Sequence, residues 1–88
     1  MTDRAAVAAQ VLDAFPGIPV VQLERMLSGA MPDDEIAVVV KSWSDAKVVP
    51  GPDAWTVFLN ILRASADVAN LVIPIEGAVQ GIINIGHG

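Results

Sequence analysis

The sequence contains no cysteine, a single histidine and only five basic residues among its 88. The absence of cysteine rules out disulfides, thiolate metal sites and cysteine nucleophiles. The basic residues are scattered along the chain and form no patch that would hold phosphate groups, so we expect no binding of nucleic acid. The formal net charge of −5 likewise disfavours attraction to anionic membrane surfaces.

Segments that direct a protein to or through a membrane are also missing. Residues 1–5 do not form a basic region followed by an apolar run, so they do not have the pattern of a signal peptide. The apolar stretch after Val68 is interrupted by Pro74, Glu76 and four glycines, and is too broken to span a bilayer. We therefore expect a cytoplasmic protein with no direct membrane insertion.

The composition is apolar for a small soluble domain. Hydrophobic residues make up 53% of the chain and charged residues 17%, which is more apolar and less charged than average. A chain of 88 residues is long enough to fold as one small domain. We expect it to fill a core and to retain apolar surface for a protein partner.

Apolar residues recur at helical spacing in three segments. The positions i, i+3, i+4 and i+7 are apolar in residues 8–15, 36–43 and 55–62, a pattern typical of amphipathic helices. A shorter helix is expected between Pro19 and Gly29, and a short fifth one through residues 69–70. Residues 36–40 are also compatible with a buried strand, but the acidic start at residues 33–35 and the position of Trp43 favour a helix.

These segments predict an all-α fold, a small bundle of four to five short helices with tight connections. The bundle is expected to occupy residues 1–73, with a Gly-rich, β-prone interaction tail at residues 74–88. The predicted core consists of the inward-facing apolar side chains of the helices. These are Val11, Leu12, Phe15, Leu23, Leu27, Ile36, Val40, Trp43, Trp55, Phe58, Leu59 and Leu62.

The C-terminal residues 75–88 differ in composition from the rest. They contain four glycines, which disfavour a helix, together with β-branched residues and two amides. High β-propensity, low charge and amides that form ladders are typical of segments that stack as cross-β. We predict an extended run over residues 71–74 and then a self-assembly segment. Its residues are Val79, Gln80, Ile82, Ile83, Asn84, Ile85 and Gly86.

Two simpler interpretations of this tail stay open. A glycine-rich apolar end is also compatible with an ordinary final strand or loop that packs on its own domain. It is equally compatible with a cut made in a longer protein. Composition alone does not separate these interpretations from the self-assembly segment.

Residues with catalytic or metal-binding spacing are not found. His87 lies in a glycine-rich context in which nothing would fix its tautomer or position. The three acids at residues 33–35 suit the N-terminal dipole of a helix better than a metal site. Trp43 and Trp55 lie among aliphatic residues at helical spacing, which predicts core packing rather than a ligand platform. We therefore expect no enzyme activity and no catalytic, metal-binding or cofactor-binding residues.

Three segments of the helical region carry a resemblance to a known family. Residues 11–16 read Val-Leu-Asp-Ala-Phe-Pro and residues 23–27 read Leu-Glu-Arg-Met-Leu, and residues 39–46 follow with Val-Val-Lys-Ser-Trp-Ser-Asp-Ala. Over residues 5–70 this pattern resembles the bacterial effector-associated domains, which are small death-fold-like helical modules of conflict and immunity proteins. The resemblance implies a bundle that signals by contact between like domains.

The tail carries a second resemblance. Residues 76–87 are similar to the short amyloid signalling motifs found beside such domains, and residues 83–86, Ile-Asn-Ile-Gly, look like the core of animal RHIM segments. Asn84 departs from that pattern, in which the amide is usually glutamine. The resemblance implies a dry interface formed by Ile82, Ile83 and Ile85, with amide ladders formed by Gln80 and Asn84.

Together the resemblances imply a non-enzymatic adaptor in a bacterial conflict or immunity system. Its expected partners are proteins with a like domain or a like tail motif, including other copies of itself. The alternative is a small structural or assembly subunit of a phage or cell envelope, whose tail docks as a strand on a neighbour. A membrane-active peptide is disfavoured by the acidic charge, since such peptides tend to be cationic.

Overall fold

Helices form all the regular structure in the part of the chain that the structure describes. The computed structural model describes the backbone of residues 4–87 and the side chains of residues 4–82. Five α-helices are present over that range, and a short 3-10 turn at Ala69–Leu71 precedes the last of them. The helices are α1 (Arg4–Ala14), α2 (Val20–Leu27), α3 (Asp33–Asp45), α4 (Pro52–Arg63) and α5 (Val72–His87). The predicted all-α bundle is confirmed.

The starts of α3 and α4 follow from local chemistry. Asp33, Asp34 and Glu35 occupy the first turn of α3, where carboxylates interact favourably with the positive end of the helix dipole. Proline opens α4 at Pro52, a position at which its missing N–H has no helical partner to lose. Residues 36–40, for which a buried strand was the alternative, lie inside α3.

The backbone at Gly51, just before α4, requires glycine. Its φ is 89° and its ψ is 174°, a region that is essentially restricted to glycine. We expect Gly51→Ala to lower the free energy of unfolding by about 1–3 kcal/mol. The matched control is Gly17→Ala, whose added Cβ would meet a Val48 methyl at an ordinary 3.7 Å. Urea titration of both variants measures the difference, and an equal loss in the two would contradict this explanation.

Four aromatic rings form the centre of the core. Trp43 of α3 and Trp55 of α4 stack with centroids 6.3 Å apart and planes 8° from parallel. Phe58 meets both indoles edge-on, at 6.1 Å from Trp43 and 5.1 Å from Trp55. Phe15, which follows α1, lies 6.3 Å from Phe58. Such pairs contribute about 0.5–1.5 kcal/mol each beyond their buried area, so this cluster joins α1, α3 and α4.

The indole N–H groups in this cluster are both hydrogen-bonded. Trp43 Nε1 donates to Gln22 Oε1 at 2.9 Å, which connects α3 to α2. Trp55 Nε1 donates to Ser44 Oγ at 2.8 Å, which connects α4 to α3. A buried N–H without a partner would be destabilising, so these two acceptors fix how the rings enter the core.

The residues predicted for the core lie in one apolar cluster. Leu12 and Phe15 are half-buried at its edge, and the other predicted core residues are buried. Further buried residues were absent from the prediction. They are Val7, Ile18, Met26, Met31, Val39, Val49, Val68, Leu71, Val72, Ile75 and Val79.

The extended conformation predicted for residues 71–74 is wrong. Leu71 ends the 3-10 turn and α5 begins at Val72. Pro74 is accommodated because it lies in the first turn, where a backbone N–H has no helical acceptor. The β-propensity of this segment is overridden by burial, because Ile75 and Val79 fall on one side of the helix and both enter the core.

The packing order places α4 between α1 and α5. Helix α1 packs against α2 and α4, and α5 packs mainly against α3 and also against α4. The boundary that the sequence suggested between residues 73 and 74 lies inside α5. The C-terminal helix thus closes one side of the bundle.

Candidate interaction surface

The inner face of α5 docks on the bundle through aliphatic side chains. Val72, Ile75 and Val79 are buried, and Ala78 and Ile82 are half-buried against the same cluster. These positions are spaced i, i+3, i+6, i+7 and i+10, as expected of one helix face. The docking is therefore a continuous apolar contact over three turns of α5.

One ion pair lies beside this contact. Arg63 Nη2 of α4 donates to Glu76 Oε2 of α5 at 2.9 Å, and Arg63 Nη1 donates to Asn60 Oδ1 at 3.0 Å. Both charged side chains are about half exposed, so the pair contributes at most about 1 kcal/mol. It orients α5 along α4, while the aliphatic contact supplies most of the docking energy.

The outer face of α5 exposes one large apolar side chain and two glycines. Ile73 is 80% exposed, although it lies between the buried Val72 and the half-buried Pro74. Gly77 and Gly81 follow at i+4 and i+8, and a Cβ added at either would meet nothing within 4 Å. The two glycines therefore face open space and take no part in the packing of the bundle.

The residues predicted for the self-assembly segment are divided between the two faces. Val79 is buried, Ile82 is half-buried and Gln80 is exposed. The side chains of Ile83, Asn84, Ile85 and Gly86 lie outside the described residues, although α5 includes their backbone. In this conformation the described members present no common surface for stacking.

Grooves flank the bundle on two sides. A largely apolar groove of about 510 Å³ lies between α1 and α2 and includes Ala8, Leu12 and Leu27. Two smaller grooves of about 310 and 250 Å³ lie beside α5, and both are lined by Pro52, Trp55 and Val79. Trp55 therefore lies close to α5.

Exposed apolar side chains are also present on the other helices. Val21 of α2 is 78% exposed and Val38 of α3 is 68% exposed, and Val20 and Val57 are each about half exposed. Scattered exposed aliphatics are common, but here they add to an already apolar composition. The surface therefore retains apolar groups on every helix from α2 to α5.

Two of the acidic residues at the start of α3 accept hydrogen bonds from nearby groups. Glu35 accepts two hydrogen bonds from Arg25 of α2, each 2.8 Å long, and Asp34 Oδ1 accepts one from the backbone N–H of Glu35 at 3.0 Å. In the part of the chain that the structure describes, no three acidic or histidine side chains are placed to share a metal ion. The side chain of His87 lies outside the described residues.

Each helix in the part of the chain that the structure describes is too short or too weakly apolar to cross a membrane.

No family model, curated protein or solved structure matches this chain.

Sequence reasoning missed the docking residues of α5, of which Val72 and Ile75 are the clearest. A signal for them was present, since Leu71, Ile75, Ala78 and Ile82 repeat the helical spacing that identified the earlier helices. The glycines masked it, because their low helix propensity was given more weight than the periodicity.

Proposed function

We propose that this chain is a non-enzymatic signalling or adaptor module of a bacterial conflict or immunity system. It acts through homotypic contacts of its death-fold-like helical domain and through self-templating cross-β assembly of its C-terminal segment. The observation that carries the proposal is the apolar surface left outside a well-packed core, namely Val21, Val38 and Ile73, each more than two-thirds exposed.

The helical part of the proposal rests on how the bundle divides its apolar residues. The aromatic cluster and its hydrogen-bonded indoles give the domain a fixed interior. Exposed aliphatics on a rigid surface lose little conformational entropy when a partner covers them. We propose that these side chains contact another helical domain, with the scattered charges setting orientation rather than affinity.

The C-terminal part rests on composition. Residues 79–86 combine β-branched side chains, two amides and two glycines without a charge. An extended segment of this type pairs its backbone with an identical segment and stacks its aliphatic side chains in a dry interface. Assembly of like tails would then bring the domains, and whatever is attached to them, to high local concentration.

The test replaces two tail residues by a charged one. In Ile83→Asp with Ile85→Asp, repulsion between stacked carboxylates and loss of the dry interface should abolish seeded fibres, while the helical circular dichroism of the domain is retained. Thioflavin fluorescence and electron microscopy measure the fibres. The matched control is Gln10→Asp with Ala37→Asp, which adds the same charge at exposed positions of α1 and α3 and should leave fibre formation intact.

Other results would point elsewhere. A defined oligomer of fixed stoichiometry that does not seed would favour the structural subunit, whose tail docks on one neighbour. Loss of helical structure in the double aspartate variant, but not in the control, would show that residues 83 and 85 belong to the core. Either result would remove self-templating assembly from the proposal.

A further inference from the structure

Val79 and Ile82 are required by two arrangements that exclude each other. In the bundle Val79 is buried and Ile82 is half-buried against the core. In the proposed cross-β assembly the same side chains would stack against those of other copies. A given molecule has only one of these contacts at a time.

We infer that α5 is a conditional helix that withholds the assembly segment until α5 leaves the bundle. The inference rests on the proposed function and adds its regulation. Docking on α3 and α4 is the closed state, and release of α5 is the step that licenses assembly. Because α5 is the last helix in the described part, its release removes the main packing partner of α3. It leaves in place the stacking of Trp43 on Trp55 and the hydrogen bond from Trp43 to Gln22, which join α3 to α4 and α2.

The composition of α5 makes its helical state dependent on docking. Gly77 and Gly81 are interior helix positions, where glycine is among the least favourable residues. Because both face open space, neither is required for close packing within the bundle. Val79 and Ile82 are β-branched and also favour extended structure. Without the core contacts, the intrinsic preference of this segment shifts away from helix.

The bundle opposes release through the contacts that would be lost. Ile75 is completely buried, and its departure would expose apolar surface on both sides of the contact. The Arg63–Glu76 ion pair would also separate. Trp55 lines the two grooves beside Val79, so release would also uncover one side of the aromatic cluster. The closed state is thus the stable one, and assembly requires the infrequent release of α5 from the bundle.

The first test stabilises the helix without touching the core. In the full chain, Gly77→Ala with Gly81→Ala should reduce the released population about fivefold per substitution, because the two methyl groups meet no neighbour. We expect a correspondingly longer lag before fibres form. The two alanines lie within the assembly segment and could change fibre growth without changing the docking of α5. A peptide of residues 74–88, with and without the alanines, measures that effect separately.

The second test loosens the docking and leaves the segment unchanged. Leu59 is buried and lines a groove with Val79, so Leu59→Ala should shorten the lag. Leu23→Ala is the control, because Leu23 is equally large and buried and belongs to α2, which packs against α1. The two variants are compared at urea concentrations that give them the same free energy of unfolding. Under those conditions we expect Leu59→Ala to shorten the lag more than Leu23→Ala does.

The two proposals fail in different ways. In one outcome the peptide forms fibres while the lag of the full chain is unchanged both by the two glycine-to-alanine substitutions and by Leu59→Ala. That result would overturn the conditional helix and leave the self-assembly proposal standing. A lag that follows global stability alone, equal for Leu59→Ala and Leu23→Ala, also overturns it. If neither the peptide nor the full chain forms fibres, cross-β assembly fails and this inference fails with it.

Discussion

Phe58→Ala is expected to lower the free energy of unfolding by about 3–5 kcal/mol, the largest effect of any single substitution considered for this chain. Phe58 has no exposed surface and contacts three other aromatic rings. Truncation removes the ring's transfer energy and leaves a cavity that stacked indoles cannot easily fill. A domain of this length has about 5–10 kcal/mol of stability in total, so much of it would be lost.

Val57→Ala is the control for Phe58→Ala. Val57 is the preceding residue of the same helix and is about half exposed, so its truncation should cost less than about 1 kcal/mol. Urea titration followed by circular dichroism at 222 nm gives both values. Similar midpoints for the two variants would mean that the aromatic cluster is not the centre of the core.

The second large effect concerns two isoleucines of α5. Ile75→Ala should lower the free energy of unfolding by about 2–4 kcal/mol, because Ile75 is fully buried. Ile73→Ala should change it by less than about 0.5 kcal/mol, because Ile73 is 80% exposed. The two residues are chemically identical and only two positions apart, so neither size nor composition accounts for the difference.

This pair of variants also tests the conformation of the segment. In a helix, residues i and i+2 point to different sides, whereas in a strand they point to the same side. Equal losses for Ile73→Ala and Ile75→Ala, measured as shifts in the urea midpoint, would be the result expected of a strand. A large loss at Ile75 alone would establish the helix and its orientation.

Much of the helical framework could be predicted from the sequence. Helices α3 and α4 combine apolar residues at helical spacing with proline and acidic residues at their starts, so periodicity and capping chemistry agree. The stacking of Trp43 on Trp55 could not be predicted from the sequence, since it depends on how α3 and α4 cross. Hydrogen bonds such as that from Trp43 to Gln22 join residues far apart in sequence, and no local pattern encodes them.

The C-terminal segment shows where local preference fails. Gly77, Gly81 and the β-branched residues argue against a helix when the segment is considered alone. The bundle offers a complementary apolar face to Ile75 and Val79, and this contact outweighs the local preference. The exposure of Ile73 follows only once the direction of docking is known. The surface on which the proposed function depends was therefore predictable in composition but not in shape.

The stacked tryptophans give the protein an optical probe of its own. Trp43 and Trp55 are the only tryptophans in the chain, and both are nearly inaccessible to water, so their emission should be blue-shifted in the closed bundle. Trp55 borders the contact with α5, whereas Trp43 is bonded to α2 through Gln22. A red shift of the Trp55 emission in a Trp43→Phe background would therefore follow the opening of α5 in real time without an added label.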